Sequence, residues 1–179
     1  YRSRNESVFK GIVVKHGIKI RKSGSLLLVE CPDEAVKMTS GAKSRYFSDK
    51  KDSDIMEEII GSYPLQKDVT ATVPDLKEVV QYEATDWDFL VCRAEANGHV
   101  VLVEDGKITV APPVTDEEPV VAVRYGATLL ELDVEIDARW QSKGIKASCW
   151  DASDQDVIEA EAREPASPSN GNLTSPDFA

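Results

Sequence analysis

An α+β fold, mainly β, with two short docked helices is what the sequence predicts, on three observations. Period-two apolar runs recur along the chain, as half-buried strands require. Asp105-Gly106 sits between two β-rich runs, a strong hairpin signal because a type I′ turn needs positive φ at both central residues. And "TDWDFLVCRAEANG", Thr85 to Gly98, has the start, stripe and stop of one helix.

Taken in order, "VFKGIVVKHGIKIRKSGSLLLVEC" reads as three short strands, broken at His16-Gly17 and at Lys22-Ser23-Gly24. "CPDEAVKMTSG" places Pro32 at a first helical position with Gly41 beyond, a short helix or turn. "DSDIMEEIIGSYPL" is a helix with Ser53 as cap, Ile55, Ile59 and Ile60 as the buried stripe, and Gly61 with Pro64 as the stop. "KDVTATVP" and "KEVVQY" are extended.

In the next helix, Thr85 followed by Asp88 at the third position is a capping box. Asp86 and Asp88 lie in the first turn, where negative charge suits the helix dipole. Trp87, Leu90, Val91 and Ala94 form the expected buried face, and Gly98 the stop. Beyond Pro112-Pro113, "VVAVRYG", "ATLLELDVEIDARW" and "IKASCWD" are strand-like. Leu130, Leu132, Val134 and Ile136 alternate with Glu131, Asp133, Glu135 and Asp137, predicting one buried face and one acidic face. Pattern fades after Glu164, and the rest has the composition of a linker or tail stub.

The 179 residues, 41% hydrophobic and 30% charged, are those of a soluble globular protein. The chain begins at Tyr1 without an initiator Met and is read as a piece of a longer protein. Cys31, Cys92 and Cys149 are widely spaced and odd in number, which suits buried thiols rather than disulfides or zinc. The net charge of −11 is uneven: residues 1–51 hold twelve Lys or Arg against five acids, and 52–150 eight against twenty. Either these ends meet across copies or a partner surface, or they are opposite faces of one fold. The basic segment has few aromatics to stack bases, so nucleic acid is not an expected partner.

Chemical motifs are sparse. "SGAKS" has Ala42 where a phosphate loop needs glycine before the lysine. His16 and His99 both sit beside glycines as turn residues. Asp151, Asp154 and Asp156 lack the Gly and distal Glu of a calcium loop. Asp86 and Asp88, two apart on a helix, do not face each other and make a poor acid/base pair. No catalytic residue, cofactor, metal or small-molecule substrate is expected.

The run from Gln81 to Pro113 nevertheless resembles the tail-hub family of contractile injection machines. That family comprises the Vgr spike proteins of type VI secretion, late-control D proteins of contractile phages, and relatives in extracellular contractile particles. The resemblance lies in Gln81-Tyr82, in Thr85-Asp86-Trp87-Asp88-Phe89, in Arg93-Ala94 and in Ala96-Asn97-Gly98, followed by a hairpin with a glycine turn. "FKGIVVKHGIKI" and "DSDIMEEIIGSYPL" resemble the family's upstream strand pair and short helix.

The resemblance implies tail-hub-like β-barrel strands with an inserted α+β subdomain carrying the two helices. Residues 1–31 would belong to a first barrel, 32–118 to the insertion, 119–160 to the opening of a second barrel, and 161–179 to a linker. It implies a non-enzymatic hub: a homotrimeric platform, assembled in a bacterial cytoplasm, that joins a tail-tube protein to spike and baseplate proteins. Glu131, Asp133 and Glu135 are candidate interface residues. A β-rich ligand- or peptide-binding module, with Trp87, Trp140 and Trp150 in its groove, is the alternative, and a cell-wall hydrolase domain a further one.

Overall fold

A ribbon of two antiparallel strands, β1 (Lys15–Arg21) and β2 (Gly24–Glu30), leads the computed structural model, which describes residues 7–114, 117–135 and 144–162. The turn falls at Lys22-Ser23, as expected, but His16-Gly17 does not break the chain. There His16 pairs with Val29 and Gly17 with Leu28. Cross-strand pairing overrides the local turn preference, so the ribbon has two strands and not three.

The chain divides into two units, Tyr1–Pro113 and Val114–Ala179. In the first, a 3-10 turn (Glu34–Thr39) follows the ribbon, capped by Asp33, whose side chain accepts from the Ala35 N–H. Strand β3 (Lys43–Lys50) comes next, within a polar stretch that carries no apolar alternation. It pairs antiparallel with β5 (Leu76–Ala84). Between them lie helix α1 (Asp52–Gly61) and β4 (Gln66–Val69). After β5 come α2 (Asp86–Ala96) and the hairpin β6 (Val100–Glu104) and β7 (Lys107–Ala111). The hairpin turns through Asp105 at φ 49° and Gly106 at φ 81°, the predicted type I′ geometry. β4 joins β7 in parallel, giving a three-stranded sheet in the order β4-β7-β6.

The core is a single cluster. Ile55, Met56, Ile59 and Ile60 of α1 and Phe89, Leu90 and Ala94 of α2 pack with Met38, Phe47, Ile108 and Val110. Phe47 and Phe89 stack with ring centroids 6.0 Å apart. Two helix details differ from expectation. Ser53 is not the cap of α1, for the helix begins one residue earlier. The Ser53 N–H, free in the first turn, is instead bound by Thr72 Oγ1 at 2.9 Å. In α2 the buried face is Asp86, Phe89, Leu90 and Ala94, so Trp87 and Val91 are only half-buried.

The second unit contains the hairpin β8 (Lys146–Asp151) and β9 (Asp156–Glu161). Asp151 Oδ1 accepts from the Ser153 N–H at 2.8 Å, which gives that acid a turn-closing role. The expected buried face of Leu130, Leu132 and Val134 is not formed: these side chains are 91%, 65% and 72% exposed. From Leu130 to Glu135 no strand pairing occurs among the described residues. Alternation needs a second sheet or a neighbouring strand to become a face, and none is described there. Ile136, Asp137 and Trp140 lie outside the described residues. The fold is thus α+β and mainly β, in four small sheets, with no closed barrel among the described residues.

Candidate functional site

The feature that organises the first unit is Asp86, the first residue of α2, whose side chain is fully buried. An isolated carboxylate in that position would ionise at prohibitive cost, so it must be paired and hydrogen-bonded. Its Oδ2 accepts from Lys43 Nζ at 2.6 Å and from the Tyr63 hydroxyl at 2.6 Å. Arg45 Nη2 reaches both oxygens at 2.9 Å, and Gln81 Nε2 reaches Oδ1 at 3.0 Å.

These partners converge for simple reasons. Lys43 and Arg45 are two apart on β3 and so share a face. Arg45 lies opposite Gln81 in the β3–β5 register. Tyr63 follows directly on the end of α1. Burial raises the cost of the Asp86 charge, yet the bonds from Lys43, Tyr63 and Gln81, with the Arg45 charge, outweigh it and hold the carboxyl below its ordinary range. The same bond to Asp86, then that to Tyr63, pushes the Lys43 ammonium up.

A second carboxylate works alike at the far end of the helix. Asp52 in the first turn of α1 receives Arg93 Nε at 2.5 Å and Nη2 at 2.7 Å, a bidentate pair, and Asn97 Nδ2 at 2.9 Å. Burial opposes its ionisation, but Arg93 and Asn97 prevail and lower the pKa. Asp33 makes a third link: its Oδ2 accepts from the Gly106 N–H at 2.9 Å, fastening the β6–β7 turn to the start of the 3-10 turn.

The motif residues fall into place around this. Thr85 caps α2, accepting from the Asp88 N–H at 3.0 Å. Asp88 returns to the Thr85 hydroxyl at 2.7 Å, so the box closes side chain to side chain. Gly98 at φ 67° follows the C-cap, with its N–H on the Glu95 carbonyl and the His99 N–H on that of Ala94, a Schellman stop. Gln81 is buried, with its nitrogen shared between Asp86 and the Ala84 carbonyl, while Tyr82 points to solvent. Trp87 packs at the edge of the core.

Glu131, Asp133 and Glu135 are exposed. Trp150 is also exposed, and Cys92 and Cys149 are surface thiols rather than the buried ones expected. Lys43, Arg45, Tyr63 and Asp52 are the site residues that sequence reasoning missed, and Asn97 was expected only as part of the helix stop. Only the Lys43-x-Arg45 spacing carried a local signal, and it lay within a strand that was not expected.

No helix among the described residues is long and apolar enough to cross a membrane. No curated protein matches the sequence. Among solved structures the fold is similar to that of the tail protein from Neisseria meningitidis MC58, with a TM-score of 0.62 and 17% identity over 89% of this chain and 52% of that one. The chain therefore spans about half the length of that protein. The 43 kDa tail protein of prophage MuSo2 from Shewanella oneidensis aligns at a TM-score of 0.48 and 13% identity, over 57% of this chain and 33% of its own. At such identities the Neisseria likeness establishes a shared fold and nothing further. A family model described as the Alg8 N-terminal domain matches residues 1–179, and the chain belongs to the Alg8 N-terminal domain family.

Proposed function

We propose that the chain is a structural component of a tail-like contractile injection apparatus, part of a trimeric hub that joins tail tube to spike. The observation that carries this reading is the fold shared with the tail protein from Neisseria meningitidis MC58 over 89% of the chain. The tail-hub motif from Gln81 to Gly98 supports it, since Gln81, Thr85, Asp86, Asp88, Arg93 and Gly98 each cap or clamp α2. Asp52 and Asp86 are ionised and saturated with donors, which suits load-bearing anchors and not proton transfer.

On this reading residues 1–31 contribute to a first barrel, 32–118 form an insertion, and 119–160 open a second barrel. The hub is non-enzymatic, needs no cofactor and is built in the cytoplasm of a bacterial host. Light scattering on the longer parent chain, with and without its tail-tube protein, tests it. A stable trimer that binds the tube is expected. A monomer indifferent to the tube, binding peptide or glycan through Trp150, would return the reading to a ligand-binding module.

A further inference from the structure

The β1–β2 ribbon carries an unfinished face. Its register places Ile18 beside Leu27, Ile20 beside Ser25 and His16 beside Val29 on one side. Ile18, Ile20, Leu27 and Val29 are 69%, 80%, 64% and 52% exposed. A two-stranded ribbon with such a face is marginal in water, and contiguous exposed apolar surface of this kind marks a contact. The opposite side carries Lys15, Lys19 and Arg21, all on β1, whereas β2 offers Leu26, Leu28 and Glu30 there, with the two leucines 59% and 39% exposed. Lys15 reaches Glu30 at 3.6 Å; Lys19 and Arg21 have no acid within ion-pair distance among the described residues. Among the described residues the outer edge of β1 is unpaired and the sheet has two strands.

Leu130 to Glu135 is the complement. Its apolar residues Leu130, Leu132 and Val134 alternate with Glu131, Asp133 and Glu135, all are exposed, and the segment makes no ladder of its own among the described residues. We infer that this segment of a second copy of the chain adds as a third strand along the free edge of β1. Side chains alternate faces with a period of two, so only pairings of one parity satisfy both halves of the match. Leu130, Leu132 and Val134 extend the Ile18–Ile20 face, and the three acids then flank Lys15, Lys19 and Arg21. A slip of one residue sets acids against isoleucines and is excluded. The β2 edge is disfavoured because the acids would there meet Leu26, Leu28 and Glu30 and no basic residue.

Both halves of the complement are encoded on one chain, so identical copies supply each other head to tail, an arrangement that closes into a ring when the rotation allows. The contact rests on the trimeric reading above for the presence of a second copy.

The test uses the full chain with Cys31, Cys92 and Cys149 changed to Ser. Ile18→Cys and Leu132→Cys are made as separate preparations, one isotope-labelled, then mixed and oxidised. Disulfides between the two preparations are expected, while Ile18→Cys with Asp133→Cys, on opposite faces, gives background. In parallel, the triple variant E131K/D133K/E135K should weaken self-association about tenfold at low salt, as three modest surface pairs together imply. Adding K15E/K19E/R21E should restore it. Equal crosslinking by Asp133→Cys, no disulfides between the two preparations, or association indifferent to charge reversal would each overturn the contact while leaving tube binding, and so the hub reading, intact. A chain that stays monomeric and ignores the tube overturns both.

Discussion

Arg93 grips Asp52 with two parallel hydrogen bonds, 2.5 and 2.7 Å long, and thereby ties the last turn of α2 to the first turn of α1. Both charges also sit at the helix ends that favour them. Asp52 is nearly buried and Arg93 only a quarter exposed, so removing one partner strands the other. Arg93→Met is expected to destabilise the first unit by about 2–3 kcal/mol, below the 3–5 of a fully buried pair because Arg93 is partly wet. Arg93→Lys should recover less than half of that, since an ammonium cannot reproduce the fork. Urea denaturation of the three proteins gives the values; equal stability of wild type and Arg93→Met would refute the clamp.

Asp86 has no solvent to fall back on. Asp86→Ala leaves Lys43 and Arg45 facing a cavity without a counter-charge, and a loss of about 3–5 kcal/mol is expected. Lys43→Met should cost much less, because Lys43 is 37% exposed on its own account and Arg45, Tyr63 and Gln81 still serve the carboxylate. The order of the two midpoints is the test: a Lys43→Met variant weaker than Asp86→Ala would mean that the cluster is organised around the lysine.

The sequence made the local parts of this site legible and hid the distant ones. Thr85, Asp88 and Gly98 act within a few residues of themselves, so their cap and stop roles follow from spacing alone. Asp86 draws its partners from Lys43, Arg45 and Tyr63, far upstream, and nothing local announces that meeting. The same cause shifted the expected stripe of α2. Hydropathy favours Trp87 and Val91 as the inward face, but Asp86 and Arg93 turn inward because each finds a charged partner there. Strand β3 was missed for a related reason: its inward residues are Lys43, Arg45 and Phe47, only one of them apolar. By contrast, the clean alternation from Leu130 to Glu135 promised a buried face that is not built among the described residues.

Thr85 tests the cap in isolation. Its hydroxyl serves the Asp88 N–H and holds the Asp88 carboxylate, both at the exposed helix start. Thr85→Ala should cost about 1 kcal/mol, and Thr85→Ser or Thr85→Asp very little. A thermal melt of Thr85→Ala within error of wild type would show that the ion pairs of Asp86 fix the helix start unaided.

Acid should expose Asp52 and Asp86 together. Both have folded pKa values below the ordinary 3.8, so their pairs contribute fully above that value and are lost as pH falls through the depressed ones. Lys43 runs the opposite way: raised above 10.5, it contributes fully below that value and is lost as pH rises through its folded pKa. These pairs therefore predict a flat stability plateau between about pH 5 and 10, with a steep acid shoulder below about pH 4. The double variant Asp52→Asn with Asp86→Asn should be less stable on the plateau, yet show a shallower acid shoulder, because two proton-linked losses are gone. Melting temperature against pH for the two proteins decides it. Parallel acid shoulders would assign the acid sensitivity to other carboxylates and leave Asp52 and Asp86 as neutral hydrogen-bonding groups.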